Sequence, residues 1–173
     1  MLELRLLEDD DISLVKTWLN KEHVKRWYEI PDMGITIEDW IEEIKQRNHK
    51  FHWITYQIAM WKKCPIGLCQ YYKCRDSKEE NFGVLPLANT YGIDYFIGEE
   101  SFLGKGLGKQ MVNRLVDMIF DFPDALRVTA DIDIHNIASS KTLFACGFRL
   151  VEQESSRYVI DKNKELCKQV HFF

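Results

Sequence analysis

The chain has no apolar run approaching the roughly 18 residues that a membrane-spanning helix needs. It opens Met1-Leu2-Glu3-Leu4-Arg5, without the basic stretch and apolar run of a secretory signal. The expectation is a cytoplasmic protein with no membrane partner. Basic charge is not in excess: 27 acidic residues face 23 basic ones, for a net charge of −4. That argues against a general nucleic-acid binder and suits a cationic partner. A metal-site spacing is missing too. Cys64, Cys69 and Cys74 recur at intervals of five, which is not a zinc pattern, and no metal is expected. The five cysteines are an odd count, and reduced thiols in strands or core are the plain reading. Repeats, low-complexity tracts and Pro/Ser-rich linkers are also lacking. What is present is 173 residues, 46% hydrophobic, with ten Phe, seven Tyr and five Trp. That suffices for one core, and residues 1–173 are expected to form one domain.

The order of elements is informative. Leu2–Leu7 alternates weakly and predicts a first strand. Asp9, Asp10 and Asp11 offer N-caps for a helix to about Asn20, with Ile12, Val15, Trp18 and Leu19 on one face. His23–Tyr28 reads as a loop or short helix. Thr36 and Asp39 resemble a capping box. Ile37, Trp40, Ile41 and Ile44 then repeat at helical spacing to about Asn48. Trp53–Met60 and Ile66–Cys74 predict a hairpin, with 61–65 as its turn because Pro65 has no N–H for a central ladder. Arg75–Thr90 is polar and reads as a long loop of the kind that often carries function. Tyr91–Ile97 is a strand and Gly98–Gly108 a glycine-rich turn. Leu107, Met111, Leu115, Met118 and Ile119 form the apolar stripe of the helix that follows. Leu126–Ile132 is a strand and Asn136–Ala145 a helix, with Gly147 as its C′ residue. Phe148–Glu152 and Arg157–Ile160 form a closing hairpin. The tail from Asp161 is polar until Val170-His171-Phe172-Phe173 and carries no assignable role. The sum is a mixed α/β sheet with helices on both faces.

The strongest signal is Leu103-Gly104-Lys105-Gly106-Leu107-Gly108-Lys109, between a strand and an amphipathic helix. Glycines permit a tight turn at positive φ and a close backbone approach to a ligand. The helix N-terminus adds free N–H donors and partial positive charge. Together these predict a phosphate cradle. The Walker pattern fails, because Gln110 follows Gly108-Lys109 and Leu103 stands where its first glycine belongs. The dinucleotide fingerprint fails on its glycine spacing.

The loop resembles the pyrophosphate loop of the GNAT acetyltransferases, written Arg/Gln-x-x-Gly-x-Gly/Ala. The flanking strand and helix, Asn136, and Cys146-Gly147-Phe148 agree in order. Leu4-Arg5-Leu6, Trp18-Leu19-Asn20, His23, Trp27, Pro65-Ile66-Gly67, Gln70, Tyr72, Gly92-Ile93-Asp94 and Asp131 look like the aminoglycoside 6′-N-acetyltransferase branch. The resemblance implies a single-domain GNAT-like fold, with a mostly antiparallel mixed sheet and splayed central strands. It implies acetyl-CoA as cosubstrate. The backbone of Tyr95, Phe96 and Ile97 would pair with the pantetheine arm. The loop Leu103, Gly104, Lys105, Gly106, Leu107, Gly108 and Lys109 would hold the pyrophosphate. Asn136 would cap its helix or bond the pantetheine, and Ser140 lies nearby. Two positions depart from the family. Leu103 replaces the usual Arg or Gln. Leu143 stands where many members carry a Tyr that protonates the leaving thiolate, so water and Ser140 remain as donors.

The chemistry is amine attack on a thioester. An alkyl amine with a pKa near ~10.4 is protonated at neutral pH and must lose a proton first. Asp94, mid-strand where an acid is intrinsically disfavoured, is the candidate base. Asp131 and Asp133 follow on the next strand and would bind ammonium groups; Asp133 equally suits a helix cap. Trp27 and Tyr28 either stack on a sugar ring or fill the core. Gln70 and Tyr72 share a strand face and would bond hydroxyls or amines.

The first expectation is therefore direct acetyl transfer to the 6′-amine of an aminoglycoside. The second is another amine, such as a polyamine, a hydroxylysine-type siderophore precursor or a protein N-terminus. The third is a non-catalytic acyl-CoA sensor. Monomer and homodimer both stay open.

Overall fold

The computed structural model describes residues 1–77, 82, 85–152 and 156–162. Among these, seven strands form one sheet: β1 (Leu2–Leu6), β2 (Ile54–Trp61), β3 (Cys64–Lys73), β4 (Thr90–Ile97), β5 (Arg127–Asp131), β6 (Arg149–Glu152) and β7 (Arg157–Asp161). Their order is β1-β2-β3-β4-β5-β7-β6. The β4–β5 pair is parallel and the other pairs are antiparallel. Five α-helices accompany them: α1 (Ile12–Leu19), α2 (Glu22–Tyr28), α3 (Ile37–Lys45), α4 (Leu107–Phe120) and α5 (Ile137–Ala145).

The sheet separates two cores. On one face, Met111, Val112, Leu115 and Ile119 of α4 and Leu143 of α5 pack on Ala59, Ile66, Ile93 and Val128. On the other, Val15, Trp18 and Leu19 of α1, Val24 of α2 and Ile37, Ile41 and Ile44 of α3 pack on Ile58, Leu68 and Phe96. The alternation of strand side chains sorts these residues between the faces.

Several local expectations hold. Thr36 and Asp39 cap α3 reciprocally: the Asp39 N–H reaches Thr36 Oγ1 at 3.3 Å and the Thr36 N–H reaches the Asp39 carboxylate at 2.8 Å. Gly147 closes α5 at φ +91°, and the Phe148 N–H returns to the Leu143 carbonyl at 3.1 Å. His23–Tyr28 is helical. Cys64 is exposed, Cys69 and Cys74 are buried and Cys146 is intermediate, all as free thiols.

Two expectations need correction. Asp11 stands at the N-cap position of α1 but its side chain makes no cap bond there; its carboxylate takes a two-pronged bond from Arg5 at 2.6 and 2.7 Å, and a bond from the Glu8 N–H that closes the capping box of the short 3-10 turn Asp9–Asp11. Arg5 holds the Asp11 pKa below the ordinary carboxylate range. The hairpin turn is only Lys62-Lys63, both at positive φ, and Pro65 lies inside β3. A register shift at Ala59/Met60 sits opposite it and accommodates its missing N–H. The tail beyond Lys162 and residues 78–81, 83 and 84 of the 75–90 loop lie outside the described residues.

Candidate active site

The site begins at a gap in the sheet. β4 and β5 pair only at Thr90–Arg127, Tyr91–Val128 and Gly92–Thr129. From Ile93 to Ile97, β4 keeps its β3 partners on one edge and has no β5 partner on the other. The far end of β4 is pinned firmly. Trp18 lies flat on Gly98, where a Cβ would come within 2.2 Å of its indole. The Trp18 N–H reaches Glu99 at 2.6 Å, and His23 Nε2 sits 3.0 Å from the Ile97 carbonyl. So the free edge of Tyr95, Phe96 and Ile97 is held open by packing from α1 and α2.

Beyond that edge lies the glycine loop. Gly104 and Gly106 take φ +69° and +72°, and a Cβ on either would meet nothing within 4 Å. Gly106 is the N-cap of the 14-residue α4, and no side chain caps that end. No acidic residue occupies the first turn of α4. Leu103, Lys105 and Lys109 are exposed, Gly108 is half-buried and Leu107 anchors the helix in the core. An open, uncapped, positively biased helix start with glycine backbone on its approach fits a diphosphate.

The second part is a cavity of about 410 Å³ on the α1–α3 side of the sheet. Strand register builds it. Gln70 stands opposite Asp94, Tyr72 opposite Gly92, and Gly92 beside Thr129. Directly paired residues share a face, so Gln70, Tyr72, Asp94, Thr129 and Asp131 all look into one space. Gln70 donates to Asp94 Oδ2 at 2.9 Å. Gly92 leaves room for the Tyr72 ring, because a Cβ there would lie 2.4 Å from it. Trp40 and Glu43 of α3, Trp53 and Ile54, and Ser77 and Phe82 complete the walls. Below Asp94 is a void of about 10 Å³, lined in part by Tyr28, Trp40 and Gln70. That is at the lower limit of space for one water.

The other candidate residues divide between the cavity, the core and the surface. Tyr28 is no exposed stacking platform. Its ring makes edge contacts with Trp40 and Phe96 at 5.2 Å each, and burial raises its pKa well above normal. Trp27 is half-buried under the Arg26 guanidinium and lines none of these cavities. Asp133 lies beyond the end of β5 and does not line the cavity with Asp131. It is exposed and accepts the His135 N–H at 2.7 Å. Asp131 does line the cavity, but it is also gripped by buried Arg157 at 2.9 and 2.8 Å. Asn136 caps α5 through the Ser139 N–H at 3.1 Å. Ser140 pairs with the Tyr158 hydroxyl at 2.7 Å, and Tyr95 with Ser139 Oγ at 2.7 Å. Burial raises the Tyr95 pKa, so this phenol keeps its proton. Leu143 is fully buried core and offers no proton.

Among the described residues, no group of three or more His, Cys, Asp or Glu side chains has the arrangement of a metal site. No helix among them is long and apolar enough to cross a membrane.

Comparison with known proteins agrees with this geometry. An aminoglycoside N(6′)-acetyltransferase type 1 of Klebsiella pneumoniae is 28% identical over 145 residues, covering 84% of this chain and 72% of that protein. The crystal structure of aminoglycoside acetyltransferase AAC(6′)-Ib in complex with coenzyme A superposes with a TM-score of 0.79 at 25% identity, over 94% of this chain and 95% of the other. A structure of the same enzyme with coenzyme A and kanamycin gives the same values. The acetyltransferase (GNAT) domain family matches residues 8–155. With the parted β4 and β5 and the glycine cradle at the start of α4, this match makes the chain a member of the GNAT acetyltransferase family, an N-acetyltransferase by fold and kinship.

Proposed function

We propose that this enzyme transfers the acetyl group of acetyl-CoA directly to the 6′-amine of an aminoglycoside, with both substrates bound at once. Asp94 carries this reading. It lies in the stretch of β4 that has no β5 partner, and its carboxylate lines the 410 Å³ cavity. One residue therefore stands between the place for an acyl carrier and the place for an amine.

The main-chain N–H groups from Gly104 to Lys109 would hold the diphosphate of CoA. Lys105 and Lys109 add positive charge and Leu103 contributes backbone alone. The free edge at Tyr95, Phe96 and Ile97 would pair with the pantetheine arm, with Asn136 and Ser140 on its far side. Acetyl-CoA supplies its acyl group as a thioester, whose C–S bond breaks as the new C–N bond forms; CoA leaves as a thiolate, and the second proton that the nitrogen gives up converts it to the thiol through water. Asp94 takes the ammonium proton of the acceptor, directly or through one water, and so frees the nitrogen lone pair. Gln70 fixes the Asp94 carboxylate. Tyr72 and Asp131 face the rest of the acceptor. The similarity to enzymes that carry aminoglycoside acetyltransferase names supports the choice of amine.

The test is thiol release from acetyl-CoA against kanamycin-type aminoglycosides, spermidine, a hydroxylysine analogue and short peptides. Fast release is expected with 6′-amino aminoglycosides and none where that amine is a hydroxyl. Release with another acceptor alone overturns the aminoglycoside assignment. In the same assay, Gly92→Ala drives the Tyr72 ring out of its place, since the added Cβ overlaps it. The expected result is a fall in acceptor kcat/KM of up to ~10²-fold, as for a wall displaced by about 1 Å. Because the overlapping atoms are the far end of one side chain, the melting temperature stays near that of the parent.

A further inference from the structure

The segment that joins β4 to the glycine loop carries two acids in succession, Glu99 and Glu100. Both stand just upstream of the place for a diphosphate. Glu99 is answered by its neighbours. The Trp18 N–H reaches it at 2.6 Å and the Lys21 ammonium at 3.0 Å, and these bonds hold its pKa below the ordinary carboxylate range. Glu100 opens the 3-10 turn Glu100–Phe102. Its backbone is tied to the glycine loop, because the Leu103 N–H returns to the Glu100 carbonyl at 3.0 Å. Its carboxylate is 68% exposed, and among the described residues the basic group within ion-pair reach is His23.

His23 spans two parts of the cofactor site. Its Nε2 sits 3.0 Å from the Ile97 carbonyl, at the end of the open β4 edge. A carbonyl only accepts, so Nε2 carries a proton in that contact. Nδ1 is sealed from solvent and makes no hydrogen bond, while Glu100 Oε1 lies 3.5 Å away. With Nε2 as the donor, a neutral ring presents a bare lone pair at Nδ1 to a carboxylate, and two acceptors face each other. A proton on Nδ1 removes that conflict and offsets the Glu100 charge. The other charged groups nearby are engaged. Lys21 is held by Glu99, Lys25 by Glu29, and Arg26 lies over Trp27. Lys105 of the loop lies over the Phe102 ring, and Glu22 faces solvent. Glu100 is thus the carboxylate whose compensation depends on His23. Left uncompensated, it repels an incoming diphosphate.

We propose that His23 is a positioning residue for acetyl-CoA: the diphosphate binds best when Nδ1 is protonated, because the imidazolium bonds Glu100, cancels its charge beside the cradle and holds the turn that leads into Leu103 and Gly104. Binding of acetyl-CoA then takes up a proton, and affinity falls as pH rises through the imidazole range. This rests on the placement of the diphosphate at the start of α4 given above.

The test is calorimetry of acetyl-CoA without acceptor, in two buffers of different ionisation enthalpy, from pH 6 to 8.5. One part-exposed charge contact corresponds to roughly a twofold to fivefold change in affinity. Linkage of that size makes the parent take up about 0.2–0.4 proton more per acetyl-CoA, at its peak, than a variant without the link. Titration of the ligand's own phosphates is common to all variants and drops out of the comparison. Glu100→Gln is expected to lose this extra uptake and to bind acetyl-CoA roughly twofold to fivefold more tightly than the parent at pH 8.5, since its amide is uncharged and offers Nδ1 an N–H. A gain of affinity cannot come from a damaged fold. His23→Gln keeps a donor for the Ile97 carbonyl and should also lose the extra uptake, with the weaker affinity that the parent shows at high pH. Equal uptake in the parent and both variants overturns the proposal, as does a Glu100→Gln protein that binds no more tightly than the parent at pH 8.5. Gly106→Asp tests the placement beneath it: an acid at the cap of α4 should weaken acetyl-CoA about tenfold or more. If it does not, the diphosphate lies elsewhere and the cradle fails, while an uptake lost in His23→Gln still stands. A parent that binds no acetyl-CoA overturns both.

Discussion

Asp94→Asn is expected to lower turnover by about 10²–10⁴-fold, the usual share of a positioned proton acceptor, while acetyl-CoA binding stays at the parent value. The two halves of this expectation come from different parts of Asp94. Its backbone lies in the stretch of β4 that has no β5 partner, and Asn leaves that stretch unaltered. Its side chain alone reaches the cavity, where it meets the Gln70 amide. Asn keeps the size and an oxygen for Gln70 but cannot take a proton from an ammonium group. Steady-state thiol release gives the first half and calorimetry with CoA the second. Because an alkyl ammonium loses its proton spontaneously as pH approaches ~10.4, activity of the variant should recover steeply with rising pH. A variant that keeps turnover at neutral pH removes Asp94 as the base. A variant that loses CoA binding points instead to a damaged sheet gap, and the uncapped start of α4 would then be the place to look.

The frame of this molecule was legible because its signals are local. Apolar spacing marks α1, α3 and α4. Gly106 and Gly147 mark a helix start and a helix end, and both do adopt left-handed backbone. Asp94 was legible for the opposite reason, as a charge where strand propensity argues against one. The residues missed were those whose meaning depends on what they overhang. Trp40 sits in the apolar stripe of α3 and reads as core. Glu43 lies three residues on, on the same helical face, which is a usable signal only once a cavity is known to open there. Trp53 begins a strand and reads as its first core residue. Phe82 falls in a polar loop, and nothing in its neighbours tells that it is buried. Trp18 and His23 belong to the family pattern and Gly98 opens the glycine-rich turn, yet none of the three lines either cavity. They hold the far end of β4 and so keep the gap open, a role that appears only when residues about eighty positions apart are brought together.

Arg157 is the clearest case of a site residue that the sequence does not announce, and it reshapes the expectation for Asp131. The two stand directly opposite in the β5–β7 pair. The guanidinium is only 4% exposed and meets Asp131 with two bonds and Glu152 with one at 3.1 Å, below the Phe82 ring. Removing one partner of a buried pair leaves a charge that water cannot reach. Asp131→Asn should therefore destabilise the fold. The Asp131 side chain is 42% exposed and Glu152 remains against the guanidinium, so the cost is set below that of a fully buried pair, at about 2 kcal/mol. For a chain of this size that lowers the melting temperature by roughly 4–8 °C. Arg157→Met should cost less, because the carboxylates it leaves behind are partly exposed and can be hydrated. The double variant Asp131→Asn/Arg157→Met should be more stable than Asp131→Asn alone, since the buried guanidinium that lost one of its carboxylates is then gone. A carboxylate that served the acceptor only would behave otherwise: Asp131→Asn would keep the parent melting temperature and raise acceptor KM. Thermal unfolding of the three variants, read beside acceptor KM, separates an Asp131 that holds Arg157 from one that waits for a substrate. An Asp131→Asn protein that melts within a degree of the parent would return the residue to substrate binding.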